Sequence, residues 1–286
     1  MKSLLSVLAL FVSISASAQS NGEYHVDKDY AISPTGTLRL NTSDAKVQIT
    51  GSSRKNAHVK IDRTVETKGM VFGRQEFSVD ITESNGNLEI RERSNTVSVG
   101  VVGYHSEKYT IKIEIPEGAS LLVKGDDGDY LVTNIDGAIA LNLDDADVDL
   151  TRCSGDKFEF RIDDGDIKMD EGRGRLQIDG DDSDIEILNA NFSFIDANVD
   201  DGDLVIETSL ADDGYYSIDA QDGLISLTIT KGGGKFDIRH DDARVSTTGN
   251  FETVEDSEDR TRLVLANGTA KVGIRADDAR VRLAKK

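Results

Sequence analysis

Five stretches of one design predict the fold: KGDDGDYL (124–131), LDDADVDL (143–150), IDDGDIKM (162–169), GDDSDIEI (180–187) and VDDGDLVI (199–206). Each stretch places an Asp-Asp pair and a small residue before a run in which apolar and polar residues alternate. The first Asp of the pair recurs at positions 126, 144, 163, 181 and 200, so the spacings are 18, 19, 18 and 19. A period this short and steady is typical of a protein that stacks like units.

Each repeat predicts two short strands, one on either side of the acidic turn. Phe158, Phe160 and Ile162 alternate with polar residues before the turn, and Ile167 and Met169 resume the apolar positions after it. A glycine-containing sequence marks the second turn of each repeat. One repeat cannot bury its own apolar face, so neighbours must stack in register at about 4.8 Å. We therefore predict an all-β fold, a single-stranded β-solenoid (parallel β-helix) of 18–19-residue coils with two short strands per coil.

A β-sandwich is the main structural alternative, because antiparallel strands also alternate. It would not require the same dipeptide to return at so constant a spacing. Looser copies of the turn lie on both sides of the regular region, and roughly thirteen coils would form a rod about 60 Å long.

The chain divides into four predicted parts. Residues 1–18 form a signal peptide, 19–123 an irregular N-terminal β-solenoid part with loop insertions, 124–249 the regular acidic β-solenoid, and 250–286 the C-terminal coils and the end of the solenoid. The segments 66–78 and 94–106 fit no coil, so we expect loops or hairpins that leave the rod. They are interpreted either as a contact surface or as a flap over an end of the core.

The N-terminus has the pattern of a secretory signal. Lys2 precedes an apolar run at 4–14, and the small residues Ala16, Ser17 and Ala18 follow it. The run is shorter than the roughly 20 apolar residues that cross a bilayer, and no later stretch reaches that length. We expect an exported chain without a membrane span, located in the periplasm or outside the cell.

The charge distribution restricts the class of partner. The 286 residues carry a formal charge of −20. Residues 124–249 contain 32 acidic and 11 basic residues, a net of −21, so the rest of the chain carries only +1. Nucleic acid and anionic lipid call for a basic surface, so both are disfavoured. Cations, a basic protein or a basic cell-surface partner are expected instead.

The sequence offers no catalytic constellation. Its single cysteine, Cys153, cannot form an internal disulfide, and the four histidines are scattered, so Cys153 is interpreted as a core or turn residue. A polysaccharide-active β-helix enzyme is the alternative, because such enzymes use paired carboxylates. Here the carboxylates repeat uniformly and the chain has no Trp to stack on sugars. We expect no enzyme activity and assign no catalytic residue.

The segment YTIKIEIPEGASLLVKGDDGD (109–129), followed by alternating strands and Asp/Gly turns, resembles the exported bacterial putative-adhesin family of β-strand-repeat domains of unknown function. SPTGTLRL (33–40) is similar to the opening strand of that family. The resemblance implies a β-solenoid and no known enzymatic activity. It also implies an adhesin. The signal pattern, the predicted rod and the lack of a catalytic constellation predict a binding or structural protein of the cell envelope. This chain departs from the family by placing Asp at two or three positions of nearly every turn, where Ser-Gly is more usual.

The acidic turns predict a calcium ladder, and with it a third function, a calcium-binding acidic repeat scaffold. Stacking brings like carboxylates to about 4.8 Å, where a pair repels by roughly 0.9 kcal/mol in bulk water and about 3.5 kcal/mol at an effective dielectric of 20. Calcium suits clustered oxygen ligands and would offset this repulsion. The predicted ligands are Asp127, Asp129, Asp145, Asp147, Asp164, Asp166, Asp182, Asp184, Asp201 and Asp203.

A plain turn-capping role explains the same aspartates. In that interpretation the second Asp of each pair takes the left-handed backbone conformation that the corner requires, and its side chain bonds neighbouring amides.

Overall fold

A computed structural model describes residues 22–241 and 243–286, with the side chains at 70–76 and 95–102 left out. The predicted signal peptide, 1–18, lies outside the described residues. The strands are β1 (Glu23–Tyr30), β2 (Thr37–Thr42), β3 (Ala45–Ser52), β4 (Ala57–Ser84), β5 (Asn87–Pro116), β6 (Ser120–Thr133), β7 (Ile139–Thr151), β8 (Lys157–Asp170), β9 (Arg173–Asp201), β10 (Asp203–Thr208), β11 (Tyr215–Ala220), β12 (Leu224–Ile229), β13 (Gly234–His240), β14 (Arg244–Thr248), β15 (Phe251–Asp256), β16 (Arg260–Leu265), β17 (Ala270–Ala276) and β18 (Arg280–Lys285). They belong to one sheet, and this part of the chain includes no helix long and apolar enough to cross a membrane.

The strands β6 to β9 pair in parallel with the predicted period. Leu121 lies opposite Ile139, Ile139 opposite Phe158, and Phe158 opposite Leu176, so the register follows the spacing of the acidic turns. Each repeat has a first segment before the acidic turn and a second segment after it, and both show alternating burial. The buried side chains of both segments belong to one hydrophobic core. The predicted period, strand pairs and parallel register are confirmed.

Strand order in space departs from sequence order at the C-terminal end. β17 pairs in parallel with β11 on one side and β13 on the other, and β18 pairs likewise with β12 and β14. The last repeat is therefore enclosed between two repeats that are consecutive in sequence. We expected 250–286 to form the end of the stack. Instead, the end is formed by β13 and β14 with the antiparallel β15–β16 pair, which joins β13 through β16.

The N-terminal end repeats this arrangement. β2 and β3 each pair in parallel with β6 on one side and β5 on the other, although β5 and β6 are consecutive in sequence. β4 pairs antiparallel with β5, and β1 adds to β4. Both terminal repeats thus lie inside the stack, covered by antiparallel strands.

The two interrupting segments pair with each other as one antiparallel ribbon. The pairing runs from Glu66 opposite Ser106 to Ser78 opposite Arg93, within β4 and β5. Residues 66–69 and 103–105 are exposed on both faces, which indicates that this part of the ribbon extends beyond the core. The predicted hairpin leaving the stack is confirmed, and its two halves form a single ribbon.

Candidate functional site

Two rows of aspartates follow the acidic turn from repeat to repeat. The turn row contains the second Asp of each pair: Asp127, Asp145, Asp164, Asp182 and Asp201. The strand row contains the Asp two positions later: Asp129, Asp147, Asp166, Asp184 and Asp203. All ten residues predicted as calcium ligands are therefore brought together in two parallel lines.

Carboxylates of the strand row accept hydrogen bonds from the next repeat. The backbone N–H of Asp166 donates to Oδ1 of Asp147 at 3.3 Å, and the backbone N–H of Asp203 donates to Oδ1 of Asp184 at 2.8 Å. Lys46 in β3 closes one end of the row with an ion pair of 2.5 Å to Asp129. Carboxylates thus bond backbone amides across neighbouring repeats, but they belong to the strand row and not to the second Asp of each pair, to which the turn-capping interpretation assigned this role.

Carboxylates of the turn row interact mainly with one another. A hydrogen bond with Asp145 raises the pKa of Asp164, and burial and the negative charge of Asp182 raise it further. Partial desolvation raises the pKa of Asp201, followed by the charges of Asp222 and Asp182. Two carboxylates can share a hydrogen bond only if one is protonated, so these shifts record repulsion along the row. Asp222 extends the turn row by one repeat and is absent from the predicted ligands.

The described part of the chain contains no group of three or more His, Cys, Asp or Glu side chains arranged to hold a metal ion. Calcium takes six to eight oxygen ligands from several directions. The turn row offers its carboxylates in a single line along the stack. The calcium ladder stays a prediction.

The left-handed backbone conformation falls on the residue after the Asp pair. Gly128, Gly165 and Gly202 have φ values of 143°, 117° and 130°, and no described Asp has a positive φ. A Cβ atom on Gly165 would lie 2.2 Å from the carbonyl oxygen of Ala146 in the preceding repeat. The prediction that Asp takes this conformation is wrong. Over the five regular turns Gly alternates with a residue that has a side chain, Ala146 or Ser183, and the alternation ends where Gly223 follows Gly202.

Cys153 lies at the second corner and is fully buried. Its thiol donates weak hydrogen bonds to the carbonyl oxygens of Val132 and Thr151, both at 3.7 Å. Burial raises the pKa of the thiol, so it stays protonated and unreactive. The interpretation of Cys153 as a core residue is confirmed.

A polar cluster near the turn in the N-terminal repeats was not predicted from the sequence. Glu92 accepts hydrogen bonds from the hydroxyls of Thr42 and Ser43 at 3.0 and 2.7 Å. The hydroxyl of Tyr130 is buried beside this cluster without a hydrogen-bond partner among the described residues. Burial, with Asp127 as the next cause, raises the pKa of Asp44. Glu92 carries no repeat signature, because it lies in the antiparallel hairpin, outside the periodic region.

The sequence profile of one protein family matches residues 35–283. That match spans both enclosed terminal repeats and every acidic turn. The chain belongs to the Toastrack DUF4097 family. The family resemblance inferred from residues 33–40 and 109–129 is confirmed.

Several solved structures show a distant likeness in fold. A putative adhesin from Bacteroides fragilis is 13% identical, with a TM-score of 0.42 over 91% of this chain and 97% of that chain. A putative adhesin from Parabacteroides merdae is 12% identical, with a TM-score of 0.42 over 91% and 95%. A putative lipid binding protein from Parabacteroides distasonis is 12% identical, with a TM-score of 0.37 over 92% and 97%. No curated protein matches the sequence.

Proposed function

We propose that this Toastrack protein is a non-enzymatic binding or structural protein of the cell envelope, built as a single β-solenoid. The observation that carries the proposal is the parallel register of β6 to β9, which repeats the same outward positions in every layer. Roughly thirteen layers at about 4.8 Å make a rod about 60 Å long. A rigid rod with identical rows along its length suits the binding of a partner that is itself extended or repetitive.

The acidic rows give this rod its first binding surface. Residues 124–249 carry a net charge of −21, from 32 acidic and 11 basic residues. Carboxylates at a fixed spacing create a strong negative field that steers cationic partners to one side of the rod. We propose a basic protein or a basic cell-surface component as the partner of these rows.

The alternative function is a polysaccharide-active enzyme. An acid and a base of that kind require two carboxylates whose environments push their pKa values apart. Within the turn row, the pKa values of both Asp164 and Asp201 are raised. Like carboxylates in like register positions single out no such pair, which favours a binding surface over a catalytic site.

We further propose that the protein works outside the cytoplasm, in the periplasm or outside the cell. The basis is the signal pattern of residues 1–18. Fractionation of the producing cells, with N-terminal sequencing of the purified chain, tests this. A chain in the envelope or medium that begins at Gln19 agrees with the proposal, and a cytoplasmic chain that retains Met1 contradicts it.

A binding measurement with matched variants tests the function itself. The probes are poly-lysine and an envelope extract, set beside an activity screen on polysaccharides. The triple variant Asp145→Asn, Asp164→Asn and Asp182→Asn neutralises the turn row. The control variant Glu23→Gln, Glu252→Gln and Glu258→Gln removes the same charge outside both rows. We expect the row variant to lose most of the binding and the control to keep it. Turnover of a polysaccharide by the wild type would favour the enzyme instead.

A further inference from the structure

A third row runs along the first segments, at the end away from the acidic turn, and its chemistry is opposite. Its members occupy one outward register position in neighbouring strands: Lys157, Arg175, Phe194, Tyr215, Lys271 and Lys235. We call it the basic–aromatic row. Four cationic side chains flank two aromatic rings over about 24 Å, on a protein with a formal charge of −20.

The centre of the row is a stack of planar groups. The guanidinium carbon of Arg175 lies 3.9 Å from the ring centroid of Phe194. The Phe194 and Tyr215 rings are stacked with centroids 5.9 Å apart and an interplanar angle of 29°. Tyr215 is 51% exposed although it is large and apolar. Stacking holds Arg175 and Phe194 in place, so a ligand would meet a surface with little conformational freedom left to lose.

Three of the four cations of the row form no ion pair among the described residues, and the fourth, Lys157, is paired. Within the described part of the chain, Lys157 pairs with Glu159 at 3.1 Å, whereas Arg175, Lys235 and Lys271 form no ion pair. The acidic turn begins six residues along the strand, about 20 Å away. That distance exceeds two Debye lengths at physiological salt, about 8 Å each, so the acidic rows act only weakly on these cations. Acidic residues nearer to the row include Asp156, Asp213 and Asp237.

A depression beside the row offers hydrogen-bonding groups. It has a volume of about 240 Å³, and its polar lining consists of Gln177 and Asn198, the guanidinium of Arg161 and three carboxylates, Glu159, Asp179 and Asp196. Gln177 and Asp196 lie two residues along the strands from Arg175 and Phe194. Amides and carboxylates of this kind bond sugar hydroxyls, and the carboxylates repel any anionic group placed directly over them, so the depression suits the uncharged part of a sugar ring.

The density of positive charge along the basic–aromatic row distinguishes between a nucleic acid and an anionic polysaccharide as its ligand. A nucleic acid strand carries one phosphate about every 3.4 Å, so about seven would lie along the 24 Å row. The row has four cations, and Asp156 lies directly before Lys157. A polymer with fewer charges and hydroxyl-rich rings matches this surface better.

We propose that the basic–aromatic row and the adjacent depression bind an extended anionic polysaccharide. Its carboxylates lie at Arg175 and Lys271, and a sugar ring packs against Tyr215. The inference rests on the proposed binding function and names a second partner class for it, on a surface separate from the acidic rows.

Binding of polygalacturonate to the purified full chain at low salt tests the proposal, with dextran and single-stranded poly(dT) as comparison polymers. The double variant Arg175→Gln and Lys271→Gln should weaken polygalacturonate binding by about tenfold or more. Tyr215→Ser should weaken it by about fivefold or more. The control Lys168→Gln and Arg282→Gln removes the same charge from second segments and should change binding less than about twofold. Circular dichroism checks that each variant is folded. If the first double variant is not, Lys235→Gln with Lys271→Gln replaces it and leaves the Arg175–Phe194 contact intact.

Three outcomes overturn the proposal: no binding of polygalacturonate by the wild type, equal loss in the row and control variants, or tighter binding of poly(dT). Preference for dextran over polygalacturonate also contradicts it, because dextran is uncharged and the cations of the row would then contribute nothing to binding. Poly-lysine binding by the same samples reports on the acidic rows. Its retention alongside a negative result here separates failure of this inference from failure of the proposed function.

Discussion

The turn row and the basic–aromatic row lie at opposite ends of the first segments, and they differ in which strands bring their neighbouring members together. The turn row is built by consecutive repeats, so Asp145 and Asp164 stand one period apart in the chain and in register. The basic–aromatic row places Lys271 between Tyr215 and Lys235, an order that exists only because β17 is enclosed between β11 and β13. Periodic rows can be predicted from the sequence, whereas a row that depends on strand order requires the structure.

A core substitution in β17 tests whether the last repeat is enclosed between β11 and β13. Ile274 in β17 is 1% exposed and lies in the core between β11 and β13. We expect Ile274→Ala to lower the free energy of unfolding by about 2–5 kcal/mol, because the core closes on that side chain from both neighbouring strands. Urea denaturation followed by circular dichroism measures the change.

The control for this prediction is Val245→Ala in β14, a partly buried residue at the end of the stack. We expect a cost of about 1 kcal/mol there, because one side of β14 has no further repeat over it in the described chain. If β17 instead formed the end of the rod, the two substitutions would cost equal amounts.

A second test addresses the turn itself. Gly165→Ala forces a side chain into a backbone with φ of 117° and against the carbonyl oxygen of Ala146. We expect a loss of about 2–4 kcal/mol from strain and overpacking. The reverse change at the matching position of the neighbouring repeat, Ala146→Gly, should cost only about 0.5–1 kcal/mol. Equal midpoints for both variants in urea would show that the alternation of the turn is not structural.

The sequence predicts those parts of the fold that repeat. Alternation at Phe158, Phe160 and Ile162 identifies the inward side chains, and all three are buried. Strand order is not predictable from this pattern, because every repeat presents a similar apolar edge and Tyr216 could pair with Phe236 as well as with its actual partner, Val272. The choice depends on long-range packing and on the antiparallel strands that cover each end.

The second corner shows a different limit. Asn134, Arg152, Glu171 and Asn189 all have positive φ, and they recur with the same period as the acidic turns. Asparagine adopts the left-handed conformation readily, so its presence at a turn predicts that conformation. Arg and Glu rarely adopt it, so they give no such indication. The repeat imposes the conformation on whichever residue occupies that position, so the residue type alone does not predict it.

The turn row and the Asp237–Arg260 ion pair should affect the pH dependence of stability in opposite directions. The pKa values of Asp164 and Asp201 are raised above the value of about 3.9 for an unfolded chain, so the folded state binds protons more readily there. Lowering the pH from neutral towards 4 should therefore raise the midpoint of thermal unfolding.

Asp237 acts in the opposite direction. A bidentate hydrogen bond from Arg260, at 2.8 and 2.5 Å, lowers the pKa of Asp237. Its stabilising contribution is present above about pH 4 and is lost as the pH falls through the lowered pKa. Together the two effects place the stability maximum at mildly acidic pH. Asp164→Asn should flatten the rise above pH 4, and Asp237→Asn the fall below it, in melts recorded from pH 7 to 2.5. A midpoint that falls steadily from pH 7 downward contradicts the first assignment.

The smallest expected effect is that of calcium on the turn row. Strand pairing holds neighbouring turns at about 4.8 Å, and protonation of Asp164, whose pKa is raised by the hydrogen bond with Asp145, would relieve part of the repulsion between their carboxylates. A divalent ion between adjacent turns would relieve more. Its site would be weak, because the described residues provide no cluster of three acidic side chains for it.

With a Kd of about 1 mM, 5 mM calcium would stabilise the fold by about 1 kcal/mol. Thermal melts in calcium and in chelator at constant ionic strength should then differ by a few degrees, about 2–4 °C. The triple variant Asp145→Asn, Asp164→Asn and Asp182→Asn should abolish the difference, since it removes the charge that attracts the ion. An unchanged midpoint in the wild type would remove calcium from the turn row and leave its carboxylates as solvated turn residues, which bind partners only through their field.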